Sequence, residues 1–176
     1  MEQKLGTTGL SFHNDKFELI YRAKVLDNND PLQYGRIKVQ VYPMFQDIID
    51  STLLPWAVPA MPLFEGAGDN IGSFAVPKID SFVFVFFEQG DIYQPVYFAE
   101  AQTAQKGLPT ARTTNYPNRK VLRTSGGIEM FIDDTSKEVK LTHSSGTIID
   151  IATDGSLSVT AVGNVVIQGA NVSINP

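Results

Sequence analysis

A chain of 176 residues and 19.3 kDa has room for one compact domain plus a smaller element, and 43% hydrophobic content excludes a wholly disordered polymer. The formal charge of −5, with no dense basic stripe, argues against phosphate-backbone binding as the main task, so no stable nucleic-acid binding is expected. Zero cysteines exclude disulfides and thiol chemistry.

No basic segment followed by a hydrophobic stretch opens the chain, so no secretory signal is expected, and residues 1–16 read as an N-terminal arm. Residues 17–104 read as a small β-barrel domain. FELIYRAKVL (17–26) is a strand that ends at DNNDP, and GRIKVQVY (35–42) is another, with Ile37, Val39 and Val41 alternating against Lys38 and Gln40. Pro31 fixes a turn after Asp30, and Gly35 permits an unusual backbone angle where the next strand begins. Residues 43–77 are rich in Pro and Gly and read as an ordered excursion packed over the barrel or against a neighbour. Trp56, Met61, Leu63 and Phe64 carry too much apolar area there to be left wet.

A second hairpin follows, SFVFVFFEQGDIYQPVYFAEA (81–101), turning at Gly90 and Asp91. Phe82, Phe84 and Phe86 share one face of its first strand and Val83, Val85 and Phe87 the other, so both faces are expected to be covered. The run at 81–87 is far too short to cross a bilayer. Four or five strands with no helical crossover predict a curved barrel of oligonucleotide/oligosaccharide-binding (OB) architecture.

Residues 105–125 hold small polar, Pro and basic residues without a period and read as a solvated connector that includes Arg112, Arg119, Lys120 and Arg123. From 126 the chain is β-rich again. IEMFIDD and KEVKLTH alternate, and then apolar pairs recur at Ile149/Ile151, Leu157/Val159, Val165/Ile167 and Val172/Ile174, separated by turn-forming Asp, Gly and Asn. Strands this short, with one apolar edge, have nothing of their own to bury it against. Three copies wound about a common axis would supply the missing core, giving an intertwined trimeric β-helix over 126–176 with those eight residues at its centre. A sandwich and a single-chain solenoid are the alternatives, and a repeat of eight is too short for solenoid coils.

No catalytic set emerges. Asp133, Asp134, Asp150 and Asp154 read as turn and solubility residues rather than paired acids. His13 and His143 lack metal-ligand spacing, Ser51 has no triad, and the Gly66/Gly68 fragment lacks the basic residue and helix of a phosphate loop. No metal and no cofactor are expected.

DNNDPLQYGRIKVQV, LPWAVP and FVFVFFEQGDIYQPVYF, followed by SSGTIIDIATDGSLSVTA, resemble the central spikes of contractile tails, the family of the phage T4 cell-puncturing protein and the VgrG spikes. Asp30, Pro31, Gly35, Trp56, Gly90 and Asp91 fall on its barrel pattern, whereas PKIDS replaces the usual glycine-containing approach to the second hairpin. The resemblance implies an all-β protein, an OB barrel followed by a trimeric needle, located in the virion at the tail baseplate. It implies a homotrimer seated on a trimeric tail hub protein, passing force to a needle that touches the bacterial envelope transiently. The 105–125 connector leaves no room for the lysozyme domain that some members insert, and the ending NVSINP lacks their metal-binding apex, so a separate PAAR-like tip protein is expected. A trimeric glycan- or nucleic-acid-binding protein that uses barrel aromatics such as Tyr42, Tyr93 and Tyr97 is the alternative.

Overall fold

The computed structural model describes residues 17, 19–43, 50–63, 65–66, 69–103 and 108–173. The arm at 1–16 with His13, and Phe64, Gly68 and Ile174, lie outside them. Two compact units divide the chain at 106/107.

The first unit is a closed five-stranded barrel in the order β1-β2-β3-β5-β4, built from β1 (Tyr21–Asp27), β2 (Ile37–Val41), β3 (Trp56–Pro59), β4 (Phe82–Phe87) and β5 (Pro95–Glu100). Alternation sends Ala23 and Val25, Ile37, Val39 and Val41, Ala57, Val83, Val85 and Phe87, and Tyr97 into one core. Register shifts after Val25 and between Phe84 and Val85 sharpen the curvature that a barrel this small requires. On β4 the inner face is buried, while Phe84 and Phe86 on the outer face are half covered by Phe98, at centroid distances of 6.2 and 6.0 Å.

The structure corrects the reading of 43–77 as an excursion over the barrel, because Trp56–Pro59 is itself a barrel strand. It pairs antiparallel with β2 through Ala57 and Trp56 and parallel with β5 through Val58 and Pro59. The prolines do not forbid this, since Pro55 precedes the strand and Pro59 ends it, where a missing N–H interrupts little of the ladder.

The second unit is a five-stranded antiparallel meander, β6 (Arg119–Arg123), β7 (Glu129–Asp133), β8 (Glu138–Thr142), β9 (Ile148–Ile151) and β10 (Leu157–Thr160). Within one chain it is an open sheet. The connector reading is corrected at its end: Arg119–Arg123 pairs with β7 over its whole length. Beyond β10, Val165, Ile167 and Val172 lie exposed and in no strand, although short strands are expected there.

Three of the four hairpin turns share one device. At 124–128, 143–147 and 152–156 the first residue's N–H donates to the fifth residue's carbonyl, and the fourth residue is a glycine at positive φ, Gly127, Gly146 and Gly155. A tight turn with a bulge of this kind demands the left-handed conformation at that position. In the β7–β8 turn Lys137 carries the same strain, with φ 60°. Lys137→Gly removes the side-chain clash at the cost of some unfolded-state entropy, and is expected to stabilise the second unit by about 0.5–1 kcal/mol in denaturant titrations.

Candidate functional site: two carboxylate-centred turns and a one-sided sheet

The barrel's β1–β2 connection is organised by Asp30, only 7% exposed. Its carboxylate accepts from the backbone N–H groups of Leu32, Tyr34 and Arg36 at 3.0, 2.9 and 3.3 Å, and from Arg36 Nε and Nη2 at 3.0 and 2.6 Å. Pro31 and Leu32 form the bend, and the Gln33 N–H closes it on the Asp30 carbonyl. The Arg36 guanidinium and those three N–H groups hold the Asp30 carboxyl well below the ordinary carboxylate range, overcoming its removal from water.

Gly35 sits at φ +76°, with the Phe74 ring 2.9 Å from where a Cβ would stand. Its carbonyl accepts from Tyr97 Oη at 2.6 Å. Arg36 also lies over the rings of Tyr34 and Trp56, and Lys38 over Trp56, at 5.9, 5.4 and 5.0 Å.

At the β4–β5 turn, Gln89 and Gly90 both adopt positive φ, and Asp91 accepts from the Tyr93 N–H and Gln94 Nε2 at 2.9 Å each. The structure therefore gathers Asp30, Pro31, Gly35 and Trp56 around one connection, with Gly90 and Asp91 organising another. Of the aromatics named for ligand binding, Tyr97 is internal, and burial pushes its hydroxyl up to about 12. The Tyr42 hydroxyl donates to Gln40 Oε1 at 3.0 Å, and Tyr93 is exposed.

The second unit has two chemically opposite faces. Cross-strand register places Leu122, Met130, Leu141, Ile149 and Val159 in one row, and Lys120, Ile132, Val139, Ile151 and Leu157 in the next row of the same face. Nine of these ten are apolar, and Lys120, at the margin, is paired with Asp134. Leu122, Leu157 and Val159 are 65%, 68% and 53% exposed. The expected core residues Ile149, Ile151, Leu157 and Val159 thus share one face, Val165, Ile167 and Val172 lie beyond the sheet, and Ile174 is outside the described residues. The reading of the apolar pairs did not include Leu122, Met130, Ile132, Val139 and Leu141, although alternation in IEMFIDD and KEVKLTH carries the signal for the last four.

The opposite face is closed by charges. Lys140 pairs with Glu138 and Asp150, Arg123 with Glu129, and Phe131 lies under Arg119 at 4.1 Å and Lys140 at 5.7 Å. Asp133, expected as a turn and solubility residue, is 1% exposed. It accepts from Arg119 Nε, Asn115 Nδ2 and the N–H groups of Thr135 and Ser136 at 2.6, 2.9, 2.9 and 3.0 Å. Burial alone would raise its pKa, but the Ser136 N–H, Arg119, Asn115 and the Thr135 N–H outweigh that and hold it below the ordinary range. Arg119, expected in a solvated connector, is mostly buried in the process.

His143 lies in a turn, with Nδ1 facing Ser145 Oγ at 2.8 Å, and Ser51 opens a short 3₁₀ turn. Among the described residues no group of three or more His, Asp or Glu side chains is placed to hold a metal ion.

Residues 21–100 match the family described as the type VI secretion system/phage-baseplate injector OB domain. The matched span runs from the start of β1 to the end of β5, so the first unit is an OB-fold domain resembling phage baseplate and injector proteins. No curated protein matches the chain. The match covers the barrel and is consistent with a structural role for that domain.

Depressed carboxylate pKa values contribute stability that is present above the unfolded value, about 3.9 for Asp, and is lost as pH falls from there toward the folded value. Thermal unfolding followed by circular dichroism is expected to weaken below about pH 4. Asp30→Asn is expected to melt earlier at neutral pH and to lose less on acidification than the parent chain.

Proposed function

We propose that this protein is the central spike of a phage contractile-tail baseplate, a homotrimer that joins the tail hub to a membrane-piercing needle and passes force along it during envelope penetration. The match of the barrel to injector OB domains supports the location in the virion at the tail baseplate. The observation that carries the assembly is the apolar face of the second unit, continued by exposed Val165, Ile167 and Val172.

A five-stranded sheet whose nine apolar side chains face water on one side is a poor monomer. Burying the remainder of those side chains contributes roughly 10 kcal/mol per chain before the cost of association. The charged face offers a partner little, because its ions already pair with one another. Three copies that bring their apolar faces to a common axis form a dry core, and residues 161–176 continue it as an intertwined β-helix whose backbone groups pair between chains. The domain plan of this reading is an arm at 1–16, a barrel at 17–104, a connecting segment that ends in β6, and a needle. The barrel faces a trimeric hub protein, a PAAR-like protein caps the far end, and contact with the envelope is transient.

Val159→Asp or Met130→Asp would place three like charges in one dry core, a strongly unfavourable arrangement. Size-exclusion chromatography with light scattering is expected to show the mass of three chains for the parent and for Ser158→Lys on the charged face, and the mass of one chain for the two aspartate variants. A parent chain of monomer mass, or aspartate variants that remain trimers, would contradict the reading.

A further inference from the structure

Force along a spike must pass from an incoming polypeptide into a sheet, and a peptide that merely leads into an edge strand peels away one hydrogen bond at a time. In the second unit that peptide is held by a cluster. Asp133, which ends β7, is the cross-strand partner of Arg119, which begins β6. Its carboxylate takes two bonds from the incoming side, Arg119 Nε and Asn115 Nδ2, and two from the turn after β7, the N–H groups of Thr135 and Ser136. Around it the Asp134 N–H donates to the Asn118 carbonyl at 3.2 Å, Asn118 Nδ2 donates to Thr135 Oγ1 at 3.0 Å, and Lys120 pairs with Asp134.

We infer that Asp133 is the anchor that hands axial force from the incoming segment 115–119 to the sheet. This rests on the mechanical reading given above. Two features set the cluster apart from ordinary strand pairing. The first is its chemistry: a buried carboxylate is an expensive way to gain equilibrium stability, since apolar packing of similar volume does as well or better. Short charged hydrogen bonds instead lose their energy over a very small displacement, so they resist a large force before yielding. The second is its placement. Where the chain leaves the sheet after β10, the side-chain tie among the described residues is one hydrogen bond, from the Val162 N–H to Thr147 Oγ1 at 3.3 Å. Reinforcement lies on the side from which the hub's load would arrive.

The whole 176-residue chain with Asp133→Asn is the test, with Ile148→Ala, which weakens packing in β9 of the same unit and touches no member of the cluster, as comparator. Pulled by its two ends in single-molecule force spectroscopy, the Asn variant is expected to release segment 108–123 at a clearly lower force than the parent, and the Ala variant at the parent's force. In parallel, native-state trypsin cleavage after Arg119 and Lys120 is expected to rise at least about tenfold in the Asn variant, because cleavage there follows opening of the anchor. Equal release forces in Asn variant and parent, or an equal drop in both variants, would overturn the inference. Its failure is separable from that of the spike reading: electron microscopy that places the chain off the tail axis of its parent particle would remove the function and leave the anchor measurement standing.

Discussion

A sheet with Leu, Ile, Val and Met on one face and paired charges on the other constrains everything else in the second unit. Side chains alternate along a strand, so the two faces cannot exchange members without a register slip that would reverse all of them. The charged face is complete within the sheet: Lys140 serves both Glu138 and Asp150, and Phe131 fills the space beneath two cations. Among the described residues the apolar face has no counterpart in its own unit. A cover for it would be a surface as free of charge as the face itself. Another copy of the same face satisfies that requirement without any new chemistry.

Both units place a buried carboxylate at the start of a turn. Asp30 gathers three backbone N–H groups and a guanidinium, while Asp133 gathers two N–H groups, a guanidinium and an amide. In each, an arginine from the start of the following or neighbouring strand closes the cluster, so a turn and a strand end are fixed by one side chain. The donors repay part of the cost of taking the charge out of water, which is why neither acid becomes neutral near physiological pH. Polar clusters of this kind specify a single loop conformation where hydrophobic packing, being non-directional, would leave several.

The parts of this architecture that follow period two were legible in the residues. IKVQV, FVFVFF and EMFID declare their inner and outer positions directly, and the glycines of the meander announce its turns. Trp56–Pro59 was hidden because prolines at either end of a four-residue strand look like interruption. Arg119–Arg123 was hidden because RKVLR carries its charges on both faces, Arg119 and Arg123 toward the ionic side and Lys120 toward the apolar margin. Asp133 could not be ranked above Asp134 from order alone, since burial depends on donors 14 and 18 residues earlier. The fate of 165–173 was not decided by pattern either, because an apolar pair becomes a strand only when a neighbour supplies an edge.

That last point follows from the geometry of the meander. The left-handed turn positions fall at 127, 137, 146 and 155, a spacing that contracts from ten residues to nine, and strands shorten from five residues in β6–β8 to four in β9 and β10. The stack of turns continues one step beyond the sheet, since a Cβ on Gly146 would stand 3.4 Å from Val162. As strands shorten, each contributes fewer backbone bonds to its neighbour while still needing to satisfy its own donors and acceptors. A single chain reaches the limit of that trade after β10, where antiparallel pairing stops although the alternation of Val165 and Ile167 does not. A strand pattern that outlasts its partners within one polypeptide is what the proposed trimer would answer, since neighbouring chains would then supply the missing edges as the sheet narrows.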